Sequence, residues 1–187
     1  MQTDPIVITG HGLTLREWTD DDVPAMPELF DDPDVAYRTP LESPFDEAAA
    51  LRYVRGAQAA RKEGKRLHLA ITLDGRNPLG EIMIGMKAPS LGYAVGTAHR
   101  GQRLATRSLL VLTEYAHTSL NLPVVYLEIE ADNDASAAVA RAAGFEPCDA
   151  ESSTVTDKGR SYELFKWEHR RGPETVVAPR GAERSSP

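Results

Sequence analysis

A single cysteine, Cys148, excludes an intramolecular disulfide. No His/Cys cluster carries metal-ligand spacing, so no bound metal is expected. No apolar run approaches the ~20 residues of a membrane span. Met1 to Thr9 carry Asp4 and Pro5 and no long apolar region, which argues against a signal peptide. The expectation is a cytoplasmic protein without a membrane partner. Positive charge is also scarce: 21 Lys and Arg stand against 28 Asp and Glu, for a net charge of −7. Nucleic acid is therefore a poor partner, because neutralising phosphates takes clustered basic side chains. The acidity suits a cationic or amine-bearing ligand, although most often it serves solubility.

What is present is the mix of an ordinary globular chain: 187 residues, 41% hydrophobic and 26% charged, enough for one domain with a sizeable core. Leu13 to Trp18 alternates apolar and polar and predicts a strand. Thr19 or Asp20 then caps a short helix carrying Val23, Met26, Leu29 and Phe30. Pro33 to Pro44, rich in Pro and Asp, reads as a loop. Asp46 to Glu63 predicts a helix with Ala49, Tyr53, Ala57 and Ala60 at helical spacing and Gly64 past its end. Strands follow at Leu67 to Leu73, Leu79 to Met86 and Leu91 to Val95, in meander order. A helix from Ala105 to His117 presents Leu109, Leu112 and Ala116 on one face. Val124 to Glu130 predicts a strand with Val125, Leu127 and Ile129 on one side. An Ala-rich helix, Ala135 to Ala143, ends at Gly144, and a last strand covers about Tyr162 to Trp167. Residues 1–169 form the domain, and 170–187, polar and unpatterned, read as a flexible tail. The order predicts an α+β fold, a mixed central sheet flanked by helices.

Between the Leu91 to Val95 strand and the helix from Ala105 lies Arg100-Gly101-Gln102-Arg103-Leu104-Ala105. A strand that turns into a helix leaves unpaired N–H groups at the turn, and the helix dipole adds partial positive charge. Such a turn suits phosphate.

These residues, with several others, resemble the GNAT family of N-acetyltransferases, in particular the branch similar to ribosomal-protein N-terminal alanine acetyltransferases. Gly92-Tyr93-Ala94-Val95 resembles the strand before the acyl-CoA turn. Arg100 and Ala105 match the ends of the family's Gln/Arg-x-x-Gly-x-Gly/Ala motif. Asn133-Asp134-Ala135-Ser136 resembles its Asn-x-x-Ser element, and Ala142-Ala143-Gly144-Phe145 the helix end that follows. Leu13 to Trp18, Asp32-Pro33 and Leu79-Gly80-Glu81-Ile82 sit upstream in the expected order. The likeness covers about residues 10 to 168.

The resemblance implies a split between two central strands, here Leu91–Val95 and Val124–Glu130, that holds acetyl-CoA. Pantetheine would pair with Tyr93, Ala94 and Val95 like an extra strand, and the Val95 N–H would hold the thioester oxygen as it becomes an oxyanion. Backbone N–H groups along Arg100, Gly101, Gln102, Arg103, Leu104, Ala105 and Thr106 would take the pyrophosphate. Asn133 and Ser136 would lie near the sulfur, where Ser136 can protonate the departing thiolate. Both are also ordinary first-turn residues of a helix.

Arg103 departs from the family, which has glycine there. A side chain costs conformational freedom, and φ > 0 would be strained. Either Arg103 swings out and offers its guanidinium to phosphate, or it blocks the turn. The second case leaves a non-catalytic CoA-binding or regulatory protein on the same scaffold.

A base is needed because an ammonium cannot attack. An α-amine, with pKa about 7.7–8.0, needs only a weak one. Glu81 leads; Glu128, Glu130, His68, Tyr93 and His99 could serve. Cys148 has no readable His to activate it. The acceptor is a primary amine, either a protein N-terminus or a small molecule, with Trp18, Tyr37, Arg38 and Phe45 the candidates to line its pocket. A homodimer is compatible with these features.

Overall fold

A computed structural model describes residues 4–172. Nine strands form one sheet in the order β1-β2-β3-β4-β5-β6-β9-β7, with β8 paired to β9. The strands are β1 (Val7–Gly10), β2 (Leu13–Glu17), β3 (Arg66–Thr72), β4 (Pro78–Gly85), β5 (Ser90–Val95), β6 (Val124–Glu130), β7 (Glu146–Pro147), β8 (Ser153–Asp157) and β9 (Arg160–Arg170). Every pairing is antiparallel except β5 with β6. A parallel neighbour requires a crossover, and α4 (Leu104–Thr118) provides it. The mixed α+β sheet expected from the sequence is what forms.

Alternation along the strands divides the core between two faces. Leu67, Leu69, Ile82, Ile84, Leu91, Val125 and Leu127 are buried beneath α4 and α5 (Asp134–Ala142), together with Leu109, Leu112 and Ala116 of α4. Ala70 turns to the opposite face, where Trp18, Phe30 and Phe45 pack with α1 (Met26–Phe30) and α3 (Glu47–Lys62). Each large side chain removed from water contributes about 1.5–3 kcal/mol, so both faces are covered.

Local chemistry sets the helix starts. The Asp46 carboxylate accepts the Ala49 N–H at 2.8 Å, and Asn133 accepts the Ser136 N–H at 3.1 Å, both as N-caps. The buried stripe of α3 is Ala49, Ala50, Val54 and Ala57, rotated from the Ala49, Tyr53, Ala57, Ala60 stripe expected; Tyr53 lies at its edge.

Several segments differ from expectation. Residues 33–44 are not all loop, since Pro33–Arg38 forms α2 with Asp32 accepting from the Asp34 and Val35 N–H groups. The helix expected after Thr19 splits into a 3₁₀ turn (Asp20–Ala25) and α1. Two further hairpins appear. In β1–β2 the turn residues His11 and Gly12 have φ of 49° and 68°, and in β8–β9 Lys158 and Gly159 have 47° and 75°. Two consecutive positive φ angles match the twist of the flanking strands. The last strand extends to Arg170, and the Arg171 N–H bonds the Pro123 carbonyl at 2.9 Å. The remainder of the expected tail, 173–187, lies outside the described residues. No described helix is long and apolar enough to cross a membrane.

Candidate active site

β5 and β6 pair only where they begin. Ser90 stands opposite Tyr126 and Leu91 opposite Leu127, and the Tyr126 N–H meets the Pro89 carbonyl at 2.8 Å. Past Leu91 the two strands part, while the other edge of β5 stays paired with β4 as far as Val95. The Gly96 N–H reaches the Leu79 carbonyl at 3.0 Å. Successive residues of an antiparallel ladder direct their backbone groups to opposite edges. Counting back from Gly96, Ala94 and Gly92 serve β4, and Val95 and Tyr93 face the opening. A length of β5 edge thus lacks a strand partner among the described residues. β4 carries an extra residue against β3 near Thr72, and Gly80 packs on β5 so closely that a Cβ would sit 2.5 Å from the Ala94 oxygen. No side chain fits there.

At the end of β5 the chain turns into α4 without a side-chain cap. The first N–H groups of α4, from Leu104 on, therefore lack intrahelical partners. Gly101 has φ 82°. Arg103 has φ 57° and ψ 24°, the left-handed conformation, which costs an L-residue about 1–2 kcal/mol. Its side chain is exposed, so the backbone makes the turn that glycine would make. A free strand edge leading to an uncapped helix start fits a pantetheine–pyrophosphate chain, and CoA is the group these residues would hold.

A cleft of about 1220 Å³ runs through the split. Tyr93, Asn133 and Ser136 line it on the side of α5, and Glu81, His68, Tyr53 and Phe45 line it on the side of α3. Glu81, only 8% exposed, accepts the Trp18 indole N–H at 2.8 Å and the Tyr53 hydroxyl. His68 Nδ1 lies 3.2 Å from the same carboxylate and 3.0 Å from the Tyr53 oxygen. Burial, reinforced by the Glu81 charge, drives the Tyr53 phenol well above its ordinary pKa of 10.0 and keeps it a donor. Glu81 stands opposite Ala94 of β5, beside the opening.

The other carboxylates are placed differently. Glu130 is held by Arg160 at 2.5 Å and Arg38 at 3.3 Å; the Arg160 hydrogen bond, against burial, lowers its pKa. A carboxylate so held is a poor base. Glu128 is exposed and meets the Ser90 and Ser153 hydroxyls, at 3.4 and 3.3 Å. His99 lies in a short 3₁₀ turn past β5, off the cleft.

Of the residues expected to meet the acceptor, Phe45 and Arg38 line the cleft. Trp18 does not: it is 3% exposed, edge-on to Phe30, and its N–H anchors Glu81 from beneath. Tyr37 sits outside, stacked under Arg160 at 3.9 Å and lining a separate shallow depression. Trp18 follows β2 and packs into the core, and Tyr37 packs against Arg160 away from the cleft. β8 was not expected; its hairpin with the expected last strand brings Val155, Tyr162 and Leu164 to the cleft. The Lys158-Gly159 turn was its only signal. Cys148 is partly buried, outside the cleft.

Comparison with known proteins agrees with this geometry. The acetyltransferase (GNAT) domain model matches residues 12–146. No curated protein matches the sequence. Among solved structures, the chain is similar to an acetyl transferase from Salmonella typhimurium that modifies the N-terminal serine of a 50S ribosomal subunit protein. That match has 20% identity, TM-score 0.76, and covers 89% of this chain and 100% of the other. A ribosomal-protein-alanine acetyltransferase from Vibrio fischeri aligns with TM-score 0.73 at 14% identity, covering 88% and 96%. Mycobacterium smegmatis RimJ, in complex with CoA-disulfide, aligns with TM-score 0.71 at 20% identity, covering 87% and 85%.

Proposed function

The chain belongs to the GNAT acetyltransferase family, and from that premise we propose that it acetylates a primary amine, in the first place the α-amine of a protein N-terminus, by direct attack on acetyl-CoA. The observation that carries the reading is the unpaired β5 edge inside a cleft that crosses the sheet. CoA supplies an acyl group activated as a thioester. The Val95 N–H offers one oriented donor to the acyl oxygen, a fixed dipole that needs no rearrangement as charge develops. The N–H groups at the start of α4 hold the pyrophosphate, and Arg103 adds its guanidinium from the exposed side.

Glu81 is the acceptor's base. Its oxygens already accept from Trp18 and Tyr53, so it works through water on an amine that is half deprotonated near pH 8. Ser136 relays a proton from water to the departing thiolate. Arg38 and Phe45 flank the acceptor's path. The solved neighbours that modify ribosomal-protein N-termini support a peptide acceptor. The backbone of Arg103, which makes the turn that glycine would make, supports CoA binding over a blocked loop.

The test is thiol release from acetyl-CoA over a panel of N-terminal peptides and small amines. Peptide acetylation that falls at least about tenfold in Glu81→Gln supports the reading. Tight CoA binding with no release on any amine removes it.

A further inference from the structure

The cleft is larger than one acyl group and one amine require. Its volume of about 1220 Å³ exceeds the roughly 300–1,000 Å³ of small-molecule pockets. It continues along the α3 face of the sheet, from Glu81 and Ala94 to Gly85 and Ser90. On this face β5 presents only Ser90, Gly92 and Ala94, so the floor leaves room for an extended chain.

One end of this path is closed. α2 lies across the diverging ends of β5 and β6 and is pinned on both sides. Past β5, the Thr97 hydroxyl donates to Asp32 at 2.9 Å and Arg100 pairs with Asp34 at 3.0 Å. At the end of β6, Arg38 pairs with Glu130 at 3.3 Å and with Asp132 at 2.7 Å. A chain whose amine sits beside Ala94 therefore leads the other way, along β4 and β5.

Charge is sorted along that path. Glu81 and the paired Glu130 lie at the reacting end. Glu128, one residue past the Leu91–Leu127 pair, lies midway. Lys65, Arg66 and Lys87 line the far end. They meet there because the Met86 N–H bonds the Lys65 carbonyl at 2.9 Å and Arg66 stands opposite Gly85. Lys65 pairs with Glu63 at 2.5 Å. On the walls, Arg52 is matched by Glu42 and Asp157 by Lys158. Arg66 and Lys87 meet no carboxylate within 4.0 Å among the described residues, and the Arg66 charge is felt at the Tyr53 phenol inside the cleft. In a chain of net charge −7, the sign at this end runs against the whole.

We propose that the cleft selects protein N-termini that carry Asp or Glu at about their fourth to sixth residues, and that Arg66 and Lys87 receive those carboxylates. This rests on reading the cleft as the acceptor site of an N-acetyltransferase. Gly85 stands four residues from Glu81 along β4, about 13 Å at about 3.3 Å per residue. An extended acceptor advances at the same rate. With its α-amine beside Ala94, its fifth residue comes level with Arg66 and its sixth approaches Lys87. The carboxylates of the near half favour the ammonium head, and the cations of the far half favour the acidic residues behind it. Complementary charge of this kind fixes register and rejects wrong partners. Exposed ion pairs are individually weak and screened by salt, so Arg66 and Lys87 set preference among peptides.

The experiment measures kcat/KM with acetyl-CoA for peptides of one length that share their first residue. One is neutral, one acidic at the fourth to sixth residues, one acidic at the second alone, and one basic at the fourth to sixth. Wild type is expected to favour the peptide acidic at the fourth to sixth residues over the neutral one by about three- to tenfold. High salt is expected to shrink that ratio, and acid at the second residue is expected to bring no gain. Arg66→Ala with Lys87→Ala is expected to level the ratio, and Arg66→Glu with Lys87→Glu to turn the preference to the basic peptide. Each ratio is taken within one variant, so a general loss of activity cancels. Wild type that acetylates the peptides without ranking them overturns the proposal and leaves the acetyltransferase reading standing. A ranking that survives in both double variants also overturns it. Acetylation of no amine at all removes that reading, and the proposal with it.

Discussion

The two walls of the cleft are held in different ways. The cofactor wall, β5 running into α4, is a matter of backbone: an unpaired strand edge and an uncapped helix start. Side chains contribute little to its shape, and even Arg103 adopts glycine's conformation there. The acceptor wall is held by side chains that reach across more than a hundred residues. Lys158 donates to the Ala36 and Thr39 carbonyls at the end of α2, at 2.7 and 2.8 Å. Arg160 forks onto Glu130 at 2.5 and 3.0 Å, donates to the Tyr37 carbonyl at 2.8 Å, and lies between the Tyr37 and Tyr162 rings. These contacts strap α2 to the β8–β9 hairpin. The walls meet where the Thr97 hydroxyl donates to Asp32 at 2.9 Å and Arg100 pairs with Asp34 at 3.0 Å. A wall made of backbone accepts one cosubstrate whatever the acceptor, whereas a wall made of side chains can be retuned residue by residue.

The largest break in this comparison comes from Val95→Pro. Proline removes the N–H that faces the split and leaves the β4 ladder intact, because Val95 does not donate to β4. kcat is expected to fall about 10²–10³-fold, with CoA affinity changed far less. Steady-state kinetics and CoA calorimetry check it, and an unchanged kcat would mean that the strand edge is not the reacting site.

Next comes Arg160→Met, which cuts the strap. The acceptor KM is expected to rise about tenfold through misplacement of the wall, while the CoA dissociation constant stays put. Were CoA binding to weaken equally, the two walls would not be separable.

Arg103→Gly probes the cofactor wall more gently. Relief of about 1–2 kcal/mol of left-handed strain exceeds the roughly 0.5–1 kcal/mol entropic cost of glycine. The melting temperature should therefore hold or rise by up to about 4 °C. CoA affinity should drop severalfold and lose part of its salt dependence, as expected for a lost guanidinium–phosphate contact. Tighter binding in the variant would show instead that Arg103 obstructs the turn.

The smallest effect lies away from both walls. His169 meets His117 at 2.9 Å between β9 and the end of α4, and burial, then the neighbouring His117, lowers its pKa below 6.5. A base whose pKa is depressed on folding contributes stability that is whole above the unfolded value and lost as pH falls through the folded one. Denaturation midpoints should decline below pH 6.5, before carboxylates such as Glu130 begin to titrate. His169→Asn should remove that first decline and leave the acidic one; an identical profile in the variant would assign the decline elsewhere.

The cofactor wall was legible because its signals are local. Leu91 to Val95 is a short apolar run that reads as a strand, Arg100 to Ala105 is a turn into a helix, and Asn133 with Ser136 is an N-cap. Each feature spans a few neighbouring residues, and backbone hydrogen bonding follows from them directly. The acceptor wall was less legible for the opposite reason. α2 did carry a signal, since Asp32 followed by Pro33 is an N-cap with proline at the first helical position, but the density of Pro and Asp around it reads as loop. β8 is polar and short, and its turn lacks the Asn-Gly or Asp-Gly pair that marks such hairpins most strongly.

By itself, then, the sequence determined the mixed α+β sheet flanked by helices and the strand-to-helix turn at Arg100 to Ala105, because periodicity and capping act over one or two helical turns. Only the tertiary structure decided which of the cleft's carboxylates Trp18 and Tyr53 hold, that Trp18 works from beneath Glu81, and that Tyr37 lies outside. Those outcomes depend on which side chains share a space once strands far apart in the chain lie side by side. Burial and hydrogen-bond satisfaction are properties of that shared space and of no single stretch of residues.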